Sequence, residues 1–201
     1  GSGADLEFIE HHGFSPVRLD PLRQLAKLPA LSDPEMVNQL RTAMTRADAP
    51  TPSVEAILHA ILPARYVDHT HADAVLTVMN SRDGEARIRD LYGDNVVVIP
   101  YVMPGFDLAR RVAEHLSAFG PKTVGMILLH HGVFSFGNNA RESYERMIDL
   151  VTRAEDYMAK LGAWNIPVPS LTPGPAPLRR DLVSDLEKTL KETRDARVQT
   201  L

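Results

Sequence analysis

Apolar positions along the chain follow two rhythms, a recurrence every three to four residues and short unbroken runs, and the changes between them mark out the elements. Val96-Val97-Val98-Ile99 and Val124–Leu129 are continuous apolar runs and predict buried strands. A third strand is expected over Gly132–Phe136 after a tight turn, and a short one over Tyr66–Thr70. The helical rhythm is clearest over Phe106–Phe119, where Leu108, Val112 and Leu116 share a face, and over Arg141–Leu161, where Tyr144, Ile148, Val151 and Met158 recur. Ser32-Asp33-Pro34-Glu35 combines a capping box with a proline in the first turn, so a helix is expected from there to about Thr45. After Pro50 and Pro52, Ser53 is read as the cap of a helix that Pro63 closes beyond Leu62. Ala72–Asn80 and Glu85–Tyr92 are further predicted helices, the second stopped by Gly93. Residues 4–30 are mixed and proline-punctuated, with a short strand expected at Leu6–Ile9. Helix and strand alternate through the middle, the pattern of a layered α/β domain, but strand order does not follow from it.

The rhythm changes near residue 166. Five prolines between Ile166 and Pro177 predict an extended linker. Leu178, Leu182, Leu186 and Leu190 then recur every fourth residue on a charged background, which predicts a helical arm over 178–201. Residues 1–165 therefore stand as one domain, 166–177 as linker and 178–201 as arm.

Composition narrows the chemistry. The 201 residues include no cysteine, which excludes disulfides and thiolate metal sites, makes a cytoplasmic location the default, and leaves histidine and carboxylates as the only strong metal ligands. The net charge is −4 and no basic block stands out, so nucleic acid is not an expected partner. No apolar run reaches the roughly 20 residues of a membrane span, so no membrane association is expected. Gly1-Ser2-Gly3-Ala4 lacks the features of a signal peptide.

Eight histidines remain to be explained. His69-Thr70-His71, on a predicted strand, puts two imidazoles on one face. Two such rings with a third make an open site for zinc or a similar ion; the other reading is a pair of hydrogen-bonded histidines at a strand end. His130-His131-Gly132 closes the second apolar run, and only one of two adjacent strand residues can face a given site. Glu55, read as a first-turn residue, and His59 share a helix face, which suits either acid–base work or an ordinary surface contact. His11, His12 and His115 have no such company.

Taken together, Pro52-Ser53-Val54-Glu55, His59, Val67-Asp68-His69-Thr70-His71 and Leu128-Leu129-His130-His131-Gly132-Val133 resemble the class II aldolase and adducin family in residues, order and spacing. Gly137 and Arg141-Glu142-Ser143-Tyr144-Glu145 look like the start of that family's late helix, and the resemblance covers roughly residues 1–160. It is nearest to the subgroup whose aldolase domain precedes a short-chain dehydrogenase domain, often labelled rhamnulose-phosphate aldolase-like. The resemblance implies a three-layer α/β/α sandwich around a mainly antiparallel sheet, and a homotetramer. It implies a divalent ion, zinc first among candidates, on His69, His71 and His131 rather than His130, with Glu55 as the catalytic proton-transfer group. The implied reaction is retro-aldol cleavage of a ketose 1-phosphate or related sugar through a metal-stabilised enediolate. Relatives use the same site for epimerisation of sugar phosphates, and adducin-like members act in assembly without catalysis.

The chain departs from the family pattern at the substrate phosphate. The upstream Gly-Asn loop has no counterpart. Ser2-Gly3 is read as the remnant of a second phosphate loop, with the domain lacking its N-terminal segment; the other reading makes Gly1-Ser2 cloning residues. Ser53 is a further candidate for the anion, at a helix N-terminus. Tyr92 and Tyr101 are the candidates for a catalytic tyrosine.

Overall fold

Continuous apolar strands must be covered on both faces, and the computed structural model shows how this chain does so. It describes residue 5, residues 7–163 and residue 188, all but the last within the unit Gly1–Trp164. The predicted linker and arm lie outside the described residues, Lys188 excepted, as do Ser2 and Gly3.

Among the described residues of the unit, seven α-helices and four strands follow in the order α1 (Leu19–Leu25), α2 (Asp33–Thr42), α3 (Ala56–Ile61), β1 (Tyr66–Thr70), α4 (Asp73–Met79), α5 (Gly84–Tyr92), β2 (Val96–Ile99), α6 (Phe106–Glu114), β3 (Gly125–Leu128), β4 (Gly132–Gly137) and α7 (Ala140–Lys160). The sheet order is β1-β4-β3-β2. β4 pairs antiparallel with both β1 and β3, while β2 and β3, joined through α6, run parallel. Two of the three pairings are thus antiparallel.

Side-chain alternation along the strands builds two separate cores. Val97, Ile99, Met126, Leu128, Phe134 and Phe136 face α1, α2, α3 and α6 and pack with Leu22, Leu40, Leu58 and Val112. Val96, Val98, Ile127 and Val133 face α4, α5 and α7 and pack with Val75, Ile88 and Leu150. Helices on both sides of one sheet make the three-layer α/β/α sandwich. Fully burying each such side chain contributes roughly 1.5–3 kcal/mol, so β2, β3 and β4 supply much of the unit's stability.

Four local expectations need correction. Glu7–Ile9 forms no strand; it is a turn, a bend and irregular chain, and Leu6 is outside the described residues. Residues Leu19–Leu25 form a helix that the pattern hid, because only Leu22 and the partly buried Leu25 reach the core. α6 ends at Glu114, because the His115 ring Nδ1–H donates to the Arg111 carbonyl at 2.8 Å, the acceptor that the next helical amide would need. Ser53 does not cap α3. Its Oγ instead accepts the amide of Glu55 at 3.2 Å, a local turn, and Glu55 itself occupies the N-cap position. Ser32, by contrast, does cap α2, accepting the Glu35 amide at 3.4 Å.

Candidate metal centre

β1 lies at the sheet edge beside β4, with His69 directly across from Phe134. The half-buried positions of β1 are Val67 and His69, so alternation turns the His69 ring inward. Its Nδ1 lies 3.0 Å from the Val133 carbonyl oxygen. A carbonyl only accepts, so Nδ1 carries the proton and the neutral ring has its lone pair on Nε2. That nitrogen lies 3.1 Å from Nε2 of His71 and 3.6 Å from Oε2 of Glu55.

The third ring comes from the β3–β4 turn. His130 adopts a left-handed backbone conformation there, φ +58°, and reverses the chain so that His131 enters the cluster. The His131 ring centroid stands 5.2 Å from that of His69 and 4.9 Å from that of His71, and its Nε2 lies 3.2 Å from Oε1 of Glu55. Gly132 makes the approach possible. A Cβ on it would lie 2.7 Å from Cε1 of His69 and 2.9 Å from Cδ2 of His71, so any side chain would push into the rings.

His69, His71 and His131 form, among the described residues, a group able to hold a metal ion, with ligand atoms within 4.8 Å of one another. The donor chemistry fits. Nitrogens bound tetrahedrally at about 2.0–2.1 Å would stand about 3.3 Å apart, near the separation of the His69 and His71 nitrogens. Burial drives the His69 pKa down to about 4, against the pull of Glu55 and the Val133 hydrogen bond, so the ring is neutral at pH 7. A neutral lone pair facing a carboxylate oxygen is repulsive unless a cation stands between them. Burial alone would raise the Glu55 carboxyl, but the His131 contact and the fields of His69, His131 and His59 outweigh it and hold it below the usual value. Glu55 is therefore ionised at neutral pH. Its Oε1 and the Nδ1 of His131 are buried without hydrogen-bond partners; the 3.2 Å contact to His131 has ion-pair distance but not hydrogen-bond alignment. Unsatisfied atoms of this kind carry a desolvation cost of about 1–3 kcal/mol each.

The other candidates lie elsewhere. The His130 ring turns away, its Nδ1 2.6 Å from Oδ1 of Asn80. The sequence argument from strand alternation does not apply there, since the left-handed turn separates the two rings. His59 packs its ring on Phe134 rather than meeting the Glu55 carboxylate, and burial lowers its pKa. Ser53 lines a different cavity, of about 350 Å³, with Ser15, Pro52 and His59. Tyr92 is buried and donates its hydroxyl to the Leu150 carbonyl at 2.7 Å, a structural bond that removes it as a catalytic candidate. Tyr101 is exposed, 6.3 Å from the His130 ring. The Val133 carbonyl, the Phe134 ring and the clearance at Gly132 carry no signal in sequence beyond the His-Gly pair.

The profile of the Class II Aldolase and Adducin N-terminal domain matches residues 1–158. The chain belongs to this family. Among relatives of this class II aldolase-family unit, a Bacillus subtilis (strain 168) protein named "Uncharacterized oxidoreductase YuxG" is 37% identical over 158 residues, covering 79% of the chain. The chain spans only 23% of that relative's length. The solved N-terminal class II aldolase domain of a conserved protein from Thermoplasma acidophilum is 39% identical, with a TM-score of 0.71 over 78% of this chain and 72% of its own. Among the described residues of the unit, no helix is long and apolar enough to cross a membrane.

Proposed function

We propose that this unit is a divalent-metal-dependent aldolase acting on a ketose 1-phosphate or related sugar, with zinc as the preferred ion. The observation that carries the reading is the meeting of three imidazoles from β1 and the β3–β4 turn with one partly buried carboxylate from the start of α3, at 3.2 and 3.6 Å. A divalent ion on His69, His71 and His131 would supply a Lewis acid for the negative charge that develops on a hydroxyketone when its carbon–carbon bond breaks. The chain's own residues do the rest. The Val133 carbonyl fixes the His69 tautomer and aims its lone pair into the site. Glu55, ionised and poorly solvated, takes the proton of the substrate hydroxyl as the bond cleaves and is placed to return one to the carbon left behind. Ser2 and Gly3 are assigned to the substrate phosphate on resemblance alone.

Family membership supports this chemistry, and the relative named an oxidoreductase extends far beyond the matched segment. We read the unit as working in one chain with a dehydrogenase domain, in the cytoplasm and as a homotetramer. The test is a retro-aldol assay on ketose 1-phosphates with the metal-loaded protein, reading triose or aldehyde release. Metal-dependent release that Glu55→Gln suppresses is expected. Release of equal rate from the metal-stripped protein would overturn the reading.

A further inference from the structure

A side chain outside the four that converge lies flat on one of them. Phe134 is fully buried, and its ring stacks on that of His69 with centroids 4.0 Å apart and planes 16° apart. The two residues are cross-strand partners, so the contact is built into the register of β1 and β4. Phe134 also meets the His59 ring, tilted by 55° with centroids 5.3 Å apart, so the phenyl is packed against a second ring as well. We propose that Phe134 is a positioning residue for the metal centre, holding the plane of His69 so that Nε2 points at the ion. The proposal rests on the reading of His69 as a ligand given above.

The reason is torsional. The second side-chain torsion of histidine is broad, so a ring on a strand is free to rock about its Cβ–Cγ bond. The hydrogen bond from Nδ1–H to Val133 fixes one point on the ring edge. A flat, close-packed surface against one face removes the remaining rotation, and Gly132, close against Cε1, bounds the edge. Consecutive residues of β4 thus supply an edge contact through the Val133 backbone and a face contact through Phe134. Losing the face contact leaves the ligand present but poorly aimed. Changes to groups that orient metal ligands typically lower affinity or activity about 10–100-fold.

Phe136 provides the control. It is buried in the same core, two residues along the same strand, and meets the Phe119 ring at a tilt rather than stacking on a histidine. Phe134→Leu and Phe136→Leu both remove a buried ring, and both are expected to lower the melting temperature. Only Phe134→Leu is expected to weaken affinity for cobalt(II), by about tenfold or more, and to change the visible absorption of the cobalt-loaded full chain. Should Phe134→Leu not fold, Phe134→Met, nearer in volume, takes its place. In the unsubstituted protein, the carbon-bound ring protons of His69 are expected upfield of those of an unstructured histidine, because they lie over the phenyl face. Normal shifts there, or equal cobalt affinity in the Phe134 and Phe136 variants, would overturn the proposal while leaving the metal centre standing. Cobalt bound as tightly by His131→Asn as by the parent would instead remove the centre, and this inference with it.

Discussion

The two faces of β4 carry contrasting polar clusters. On the α7 side, Ser135 and Ser143 are fully buried, and Ser135 Oγ donates to the Ser143 carbonyl at 2.8 Å. Tyr92, on the same side, donates to Leu150. Polar groups there are closed on one another, as a stable core requires. On the other side, and at the turn that begins β4, Glu55 Oε1 and His131 Nδ1 are buried with no hydrogen-bond partner, and the His69 lone pair faces a carboxylate. The first arrangement is complete as it stands. The second leaves the Glu55 carboxylate and the His69 lone pair directed at one another, an arrangement a cation held by the three histidines would satisfy. A closed polar cluster and a group of residues able to hold a metal ion are therefore placed on opposite faces of one strand.

That contrast makes graded predictions. The largest effect is expected at Glu55. Glu55→Gln should retain the ion yet lower turnover about 10²–10⁴-fold, the usual contribution of a positioned acid–base group, with little loss of melting temperature. Near-parental turnover of a metal-loaded Glu55→Gln protein would break the functional half of the comparison. Next is the pH dependence of the metal-free protein. His69 has its pKa pushed down to about 4 from an ordinary 6.5, and Glu55 is lowered as well. Between pH 6.5 and 4 the unfolded chain binds more protons than the folded one at His69. Its stability contribution is therefore full above about 6.5 and is lost as pH falls toward 4, a change on the order of 3 kcal/mol. Thermal melts in chelator should show this slope, and His69→Asn should flatten it; an unchanged slope would reassign it to other groups. The smallest effect belongs to the closed cluster. Ser135→Ala should cost about 1 kcal/mol by denaturant titration and leave metal affinity unchanged.

How much of this was readable in the sequence depended on distance along the chain. Val96–Ile99 matches its strand at both ends, because an apolar run flanked by Gly93 and Pro100 has few alternatives. The sandwich came from resemblance, since apolar rhythm says nothing of strand order. The motifs single out Glu55, His69, His71 and His131, and the structure brings the four side chains together. Ser53 was misplaced by two residues of local register: its hydroxyl accepts the Glu55 amide in a turn, which sequence cannot tell from a cap. His130 turns aside as expected, but through a left-handed turn and the Asn80 contact rather than through strand alternation. The seating of His69 against Val133 and Phe134 was not legible, because it depends on the pairing of segments more than sixty residues apart.

The central claim is that His69, His71 and His131 hold one divalent ion and that His130 does not take part. It is tested most directly by competitive chelator titration of zinc into the full chain and into His130→Asn and His131→Asn. Asparagine tolerates a left-handed backbone, so the His130 substitution keeps the turn. The account predicts one ion per chain with near-equal affinity for the parent and His130→Asn, and a loss of a hundredfold or more for His131→Asn, on the order of 3 kcal/mol. Equal affinity in all three proteins, or equal loss in both variants, would contradict it.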